Sequence, residues 1–471
     1  MKKKKNKISF VKYLGIFNLL VSLLVIGLIY FINVLPLEYF SVLAVIVLIY
    51  DIFILFLTLT NGKVRHFFGA LFSIFGITLM IVGINYELNT IDFLKQLGFK
   101  DYKTENYVVC VLDSSKYKVI DDLNNKVIGH LNTNKREGLG KAIDTLNKKI
   151  EFKSKVLDDV SELGSSLINN NIDAFLVEAS ALDILKEDNE ELYNKVRVIK
   201  KIKIELKTNS IKKNINILNT PFNIYLSGID TYGSITNVSR SDVNIVVSVN
   251  PKTKEILLTN IPRDYYVKLH SFKEYDKLTH AGIYGVDESI FTLKDLLNTD
   301  INYYVKVNFS SVEEIVNAIG GIEVVSDYTF TSQDGYKYNK GKNKLNGKEA
   351  LSFVRERKAF KDGDRQRGKN QEIVLTALIN KVLSPSIITN YPKLLKSLDD
   401  KFMTNFTDEE ISKFIKKQMK NNGSWKIESI SLDGYDAYDY TYSYKKNKLY
   451  VMKQNVDSVS KAQEKISNVM K

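Results

Sequence analysis

Three long apolar runs open the chain, and after them the pattern changes to short alternations. Tyr13–Leu35 and Phe67–Tyr86 carry no charge, and Tyr39–Thr60 is interrupted only by Asp51. Each is close to the ~20 residues that a helix needs to cross a bilayer, so the pattern predicts three membrane spans over residues 13–86. Residues 100–210 then alternate strand and helix periods: "NYVVCVL", "DDLNNKVIGHL", "GLGKAIDTLNKKI" and "IDAFLVEASALDILKE" predict a small accessory α/β domain. The polar, lysine-rich "KTNSIKKNIN" (207–216) separates it from a new apolar strand, "FNIYLSGID", that begins at Phe222. Beyond it, helix periods near 276–298, 310–319, 346–354 and 368–383 and strands at "YYVKVNF" and "GIEVV" predict a three-layer α/β sandwich over residues 217–471, with Gly320-Gly321 turning between a helix and a strand.

Charge orients this plan. The basic tail "MKKKKNK" with Lys12 (residues 1–12) precedes the first span, only Glu38 lies in the first connection, and Lys63 and Arg65 lie in the second. By the positive-inside rule the N-terminus is cytoplasmic and everything after Tyr86 is outside. A cleaved signal peptide fits less well, because its apolar region is normally shorter and no small-residue pattern follows Val34. The net charge of +13 includes six lysines of that tail, which suit topology or anionic lipid rather than nucleic acid. Asp51 within a span is expected to bond to a polar group on a neighbouring helix, such as Asn18 or Thr78. A single cysteine, Cys110, excludes an intramolecular disulfide. The four histidines lack zinc-type spacing and no Ser-His-Asp grouping is readable, which weakens both hydrolase classes.

The chain has nine arginines among 67 basic residues, and four of them fall within residues 355–367 of "RERKAFKDGDRQRGKNQE". An arginine fork grips phosphate or carboxylate through two hydrogen bonds, whereas lysine is a mobile point charge, so the cluster reads as an anion site. Arg355 and Arg357, two apart, point the same way if the segment is extended. A helix after "FKDGD" puts Arg367 and Gln371 on one face, with Asp364 near its N-terminus. Further upstream, "SDVNIVVSVNPKTKEILLTNIPRD" reads as two strands around "PKTK". A turn centred between Lys252 and Thr253 sets Asp242 opposite Arg263, with Arg240 just ahead and Asp230 ending the preceding strand. Strand ends are where open α/β sheets bind ligands. Three forks with Gln371 suffice for a diphosphate, and Asp230 and Asp242 suit a divalent cation, Mg²⁺ rather than zinc given oxygen-only ligation.

These residues, with "KLTHAGIYG", "INYYVKVNFSSVEEIVNAIGGIEVV", "LNGKEALSFVRERK", "GDRQRGKNQ" and "LYVMKQN", resemble the LytR-CpsA-Psr family, most of all its capsule-associated members with three spans and an added domain. The resemblance implies an α/β/α domain with a mixed central sheet, an apolar tunnel for a polyprenyl (pyro)phosphate, Mg²⁺ at the head group, and a Gram-positive cell membrane. It also implies transfer of a lipid-linked glycopolymer, a capsular polysaccharide or teichoic acid, to peptidoglycan. Asp230 and Asp242 take the place of Mg²⁺ ligands. Arg240, Arg263, Arg355, Arg357, Arg367 and Gln371 take that of pyrophosphate contacts, with Asp242, Arg263 and Arg367 carrying the catalysis. Many members read Arg-Gln-Gln where this chain has Asn370-Gln371-Glu372, so only Gln371 transfers, and Arg365 reads as a surface residue. Residues 100–210 look like one lobe of an extracellular solute-binding domain, but no convergent polar cluster is readable there, and a spacer or docking module fits as well.

Phosphoryl transfer asks a protein mainly for positioning and charge neutralisation, so arginines and one cation suffice without a covalent nucleophile. The general base is not identified, although Asp242 is a candidate. The alternatives are a polyprenyl-pyrophosphate phosphatase and a non-catalytic lipid-binding regulator. A transcription regulator conflicts with the topology.

Overall fold

The computed structural model describes residues 10–32, 36–97, 102–134, 136–207, 215–229, 235–361, 363–384, 402–420 and 423–471. The apolar runs form helices α1 (Phe10–Ile32), α2 (Leu37–Leu59) and α3 (Lys63–Leu97), each with a stretch long and apolar enough to cross a membrane. In lipid there is little hydrophobic drive between helices, so small and polar residues must hold them together. A Cβ on Gly15 would come within 2.2 Å of Thr58 Oγ1, and one on Gly69 within 2.9 Å of Thr58 Cγ2, so α1 and α3 both approach α2 at Thr58. Asp51 does meet a polar neighbour, but it is Ser22, whose Oγ donates to Oδ2 at 2.5 Å. Asn18, one turn before Ser22, instead donates to the Ser73 carbonyl at 3.0 Å, and Thr78 donates to Ile74 of its own helix.

The helix Asp408–Lys420 belongs to the same structural unit as the spans, which departs from the assignment of 217–471 to one domain. Within this unit Lys420 pairs with Glu38, and Gln418 Nε2 donates to the Leu383 carbonyl at 3.2 Å.

The second unit holds two sheets. The accessory sheet comprises β1 (Tyr102–Leu112), β2 (Lys126–Leu131), β3 (Phe152–Leu157), β4 (Ala174–Glu178) and β5 (Val196–Lys207), in the order β3-β2-β4-β1-β5. Strands β3, β2 and β4 are parallel, and β1 runs antiparallel to β4 and β5. Val109, Cys110 and Val111 of β1 are fully buried in its core with Leu123, Ile128 and Phe175. Cys110 is thus a core residue, and burial pushes its thiol up to about 12.

The second sheet is mixed, as expected. Its order is Phe402–Thr404, Tyr303–Asn308, β6 (Phe222–Ile229), β7 (Val243–Asn250), β8 (Glu255–Asn260) and Lys426–Ser431. All eight residues of β7 are buried, so both faces of the sheet are covered and the architecture is three-layered. One covering layer includes the helices Val286–Leu297 and Val456–Val469, which pack on Tyr225, Val246 and Leu257. Ile245 faces Asn260 and Val247 faces Leu258, which is the register that the turn between Lys252 and Thr253 requires.

The start of β1 is clipped to the segment that enters the candidate site. Thr104 N donates to Thr236 O at 3.0 Å, and Val238 N donates to Thr104 O at 2.8 Å. On the same segment, buried Lys306 donates to the Asn237 carbonyl at 2.6 Å. Burial, with Lys103 adding to it, pushes this amine down to about 8.

Candidate active site

Strand polarity brings the end of β6, the start of β7, and the ends of β8 and Lys426–Ser431 to one edge of the mixed sheet. Asp242 sits just before β7, where its N–H donates to Gly228 O at 2.8 Å. Its Oδ1 accepts from Arg263 Nη1 at 2.5 Å, so the pair expected from register alone is formed. Both side chains are largely withdrawn from water, at 9% and 12% exposure, which makes this a desolvated ion pair rather than a surface one. Ser241, the neighbour of Asp242, is fixed by hydroxyl contacts to Tyr225 at 3.0 Å and Ser227 at 2.8 Å. Gly282 supports the same turn from behind: a Cβ there would lie 2.6 Å from Ser239 O and 2.8 Å from Ser241 N.

The helix Gly363–Leu383 approaches this edge with its first turns. Its lack of a side chain at Gly368 matters, because a Cβ there would lie 2.5 Å from Asn260 Nδ2 at the end of β8. Between helix and sheet edge is a 340 Å³ cavity lined by Asp242, Arg263, Arg365, Arg367, Lys369 and Gln371, with Asn260, Ser431 and Asp433 on the strand side. Four cationic side chains face two carboxylates in this lining, so the cavity is net positive. Arg367 and Gln371, four apart, both reach it, as helical spacing implies. Gln371 leaves its buried Nε2 without a hydrogen-bond partner among the described residues. A buried donor in that state costs free energy until an acceptor arrives, which suits an oxyanion ligand.

Other expected contacts fall elsewhere. Arg355 is the last residue of the helix Gly347–Arg355, so the premise of an extended segment holding both Arg355 and Arg357 is wrong. Both are exposed, Arg240 is half-buried, and none of the three lines the cavity. Asp230 lies outside the described residues, as does the side chain of Asp364. Arg365 is not an idle surface residue: it lines the cavity and its Nη2 donates to Gly434 O at 2.8 Å, 3.6 Å from both Asp433 and Asp436. Lys369, Asn260, Ser431 and Asp433 were not anticipated. The parallel pairing of Asn260 with Ser431 brings the three strand-side residues there, and nothing local in the sequence announces it, whereas Lys369 comes with the helix that carries Arg367.

Glu372 accepts from the Ser431 hydroxyl, and burial raises its carboxyl above the usual range. A buried Ser443–Asp276–His280 grouping also exists, although none was readable. His280 Nδ1 lies 2.6 Å from Asp276 Oδ1, and Ser443 bonds to the other carboxylate oxygen. The carboxylate, not the imidazole, is the central member, so no imidazole faces the serine and the arrangement holds two segments together.

Among the described residues no three His, Cys, Asp or Glu side chains converge as a metal cage. Mg²⁺ beside phosphate requires only one or two carboxylates, and Asp242 is such a hard oxygen donor at the cavity wall. The donor chemistry therefore fits, and Asp242 would divide its oxygens between such a cation and Arg263.

Residues 185–465 match the LytR_cpsA_psr family. The chain is 39% identical over 208 residues to the polyisoprenyl-teichoic acid–peptidoglycan teichoic acid transferase TagU of Enterococcus faecalis, covering 43% of this chain and 68% of that one. It is 33% identical over 286 residues to the TagU of Bacillus anthracis, covering 60% and 89%. Among solved structures, that of B. subtilis TagV aligns with 30% identity and a TM-score of 0.46, over 54% of this chain and 98% of that one. With its matched region spanning more than half of its length, the chain belongs to the LytR_cpsA_psr family.

Proposed function

We propose that this chain transfers a polyprenyl-pyrophosphate-linked glycopolymer to a sugar hydroxyl of peptidoglycan, forming a phosphodiester and releasing polyprenyl phosphate. The observation that carries the reading is the net-positive cavity in which Arg263, Arg367 and the orphaned Gln371 amide converge beside Asp242. The names of the E. faecalis and B. anthracis relatives supply the substrate class, a teichoic acid. The helix that bears Arg367 also has the polarity of the lipid: "GDRQRGKNQE" is followed by the apolar "IVLTALINKVL".

Arg263 and Arg367 hold the diphosphate by paired donors, and Gln371 donates to a further oxygen. Arg240, Arg355 and Arg357 would join only as outer contacts. Asp242, with Asp230, would hold Mg²⁺, which supplies neutralisation of charge that builds on the leaving phosphate. Asp242 also orients Arg263, and its carboxylate is the candidate base for the sugar hydroxyl. The attacking oxygen bonds to the phosphorus next to the glycan, the bond to the bridging oxygen breaks, and the hydroxyl proton leaves to the base. We further propose that the second structural unit is extracellular. A phosphatase reporter placed after Lys471 would then be active, and a reporter active only in the cytoplasm would reverse the orientation.

Protein purified in mild detergent from its native membranes should retain a polyprenyl phosphate or pyrophosphate lipid detectable by mass spectrometry. Arg263→Ala should lose it. Ordinary phospholipid in its place, at equal amounts in both proteins, would count against the reading.

A further inference from the structure

A cavity larger than that at the arginine helix, of 640 Å³, lies between the accessory sheet and the segments 270–291 and 442–443. Its location follows a general rule. Strands β2 and β4 are parallel, and Leu131 at the end of β2 and Glu178 at the end of β4 both line the cavity, so it opens at the carboxyl edge where α/β sheets bind ligands. Its volume is that of a small-molecule site. The polar cluster that sequence reading did not find is here, assembled from residues far apart in the chain.

Two carboxylates stand side by side in it, in unequal states. Glu105 is satisfied at both oxygens, by Lys103 Nζ at 3.0 Å and by the Tyr107 hydroxyl at 2.7 Å. It lies so close over Gly138 that a Cβ there would come within 1.9 Å of its Oε2. Glu178 is not satisfied: its Oε1 is buried with no hydrogen-bond partner among the described residues. Burial first, and Glu105 second, hold the Glu178 carboxyl well above its usual range. The two cations that act on it are engaged elsewhere as well: Lys103 pairs with Glu105 and donates to the Tyr284 carbonyl at 3.0 Å, and Arg136 lies against two aromatic rings. Its guanidinium lies 5.6 Å from the Tyr284 ring and 5.9 Å from the Tyr442 ring, a cation–π placement that fixes both rings. Phe272 packs on these tyrosines at 4.5 and 4.7 Å, completing an aromatic wall. Overall the lining carries seven Asp or Glu side chains against four Lys or Arg. A positive partner would satisfy that oxygen and return the carboxyl to its ionised form, the acidic excess of the lining favours one, and the aromatic wall favours one with surface to offer.

We propose that this cleft is a second binding site, for a small solute with a protonated amine, with Glu178 as counter-ion and the Phe272–Tyr284–Tyr442 wall against the rest of the solute. The amine can belong to an amino sugar or to a peptide terminus, and two probes separate these sources. The site does not depend on the transfer reading, because none of these residues lines the arginine-helix cavity.

The test is isothermal titration of the full chain in detergent micelles with glucosamine and with D-alanyl-D-alanine, each beside its N-acetylated form. One or both amines should bind with a Kd below about 1 mM, and the acetylated forms should not. Glu178→Gln keeps the shape and removes the charge, so it should weaken amine binding by about ten- to hundredfold, the size of one charge-assisted bond. Circular dichroism and unchanged lipid retention would show that the variant is folded and its other site intact. Equal binding of acetylated and free forms would overturn the ligand class. Amine binding indifferent to Glu178→Gln would overturn the site, and no binding by either amine would overturn the proposal as a whole.

Discussion

Arg367→Lys should lose about ten- to hundredfold in transfer rate although it keeps the charge. Arg367 is buried to 8% exposure in the cavity wall, where lysine preserves the Coulomb term but not the two-pronged donor. One charge-assisted hydrogen bond is worth roughly 1.5 to 3 kcal/mol, which is the stated loss in rate. Arg357→Lys is the contrast. Arg357 is exposed and outside the cavity, so its loss should be smaller and should vanish as salt is raised, while that of Arg367→Lys should persist. Rates for both variants at two salt concentrations check this, and equal, salt-erasable losses would reduce the cluster to a charged surface. Arg365→Lys is unsuitable as a silent control, since Arg365 ties the helix to Gly434 and the Asp433–Asp436 turn.

Asp242→Ala should abolish transfer and also destabilise the fold. A strand-end carboxylate would be cheap to remove if exposed, but Asp242 is buried and paired with Arg263 at 2.5 Å. Deleting one partner of such a pair costs about 3 to 5 kcal/mol, and Asp264 Oδ2, 3.8 Å from Arg263 Nε, offsets part of it here. Asp242→Asn keeps the volume and one acceptor oxygen. It should therefore recover part of the thermal stability while remaining inactive, because an amide lacks the charge that holds a cation tightly and does not take up a proton at neutral pH. Thermal denaturation and transfer rates measured on the two variants separate these effects. An active Asp242→Asn would remove the carboxylate from the chemistry and leave it as a support for Arg263.

What the chain discloses before folding depends on how local the cause is. The spans follow from run length, and the Asp242–Arg263 pair from one hairpin register. Arg367 and Gln371 follow from one helical repeat. Each needs only neighbours in sequence. Arg355 departs from the extended geometry expected of it because the amphipathic helix from Gly347 runs one residue beyond the periodic pattern, its start fixed by the reciprocal Asn346–Glu349 cap. Arg365 escaped because its partners lie about seventy residues downstream, on a turn placed by the parallel pairing of Lys426–Ser431 with β8. The cleft cluster is the extreme case. Lys103 and Glu105 share β1 and one face of it, but Arg136, Glu178 and Tyr284 come from three further segments, and no periodicity links the four.

The most direct measurement supplies the full chain in detergent with Mg²⁺, a polyprenyl-pyrophosphate-linked glycan and a peptidoglycan acceptor, and follows both products. Transfer predicts glycan joined to the acceptor through a phosphodiester, with an equal amount of polyprenyl phosphate, and both lost together in Arg263→Ala. Release of glycan phosphate or inorganic phosphate with no glycan on the acceptor would contradict it and make the cavity that of a pyrophosphatase.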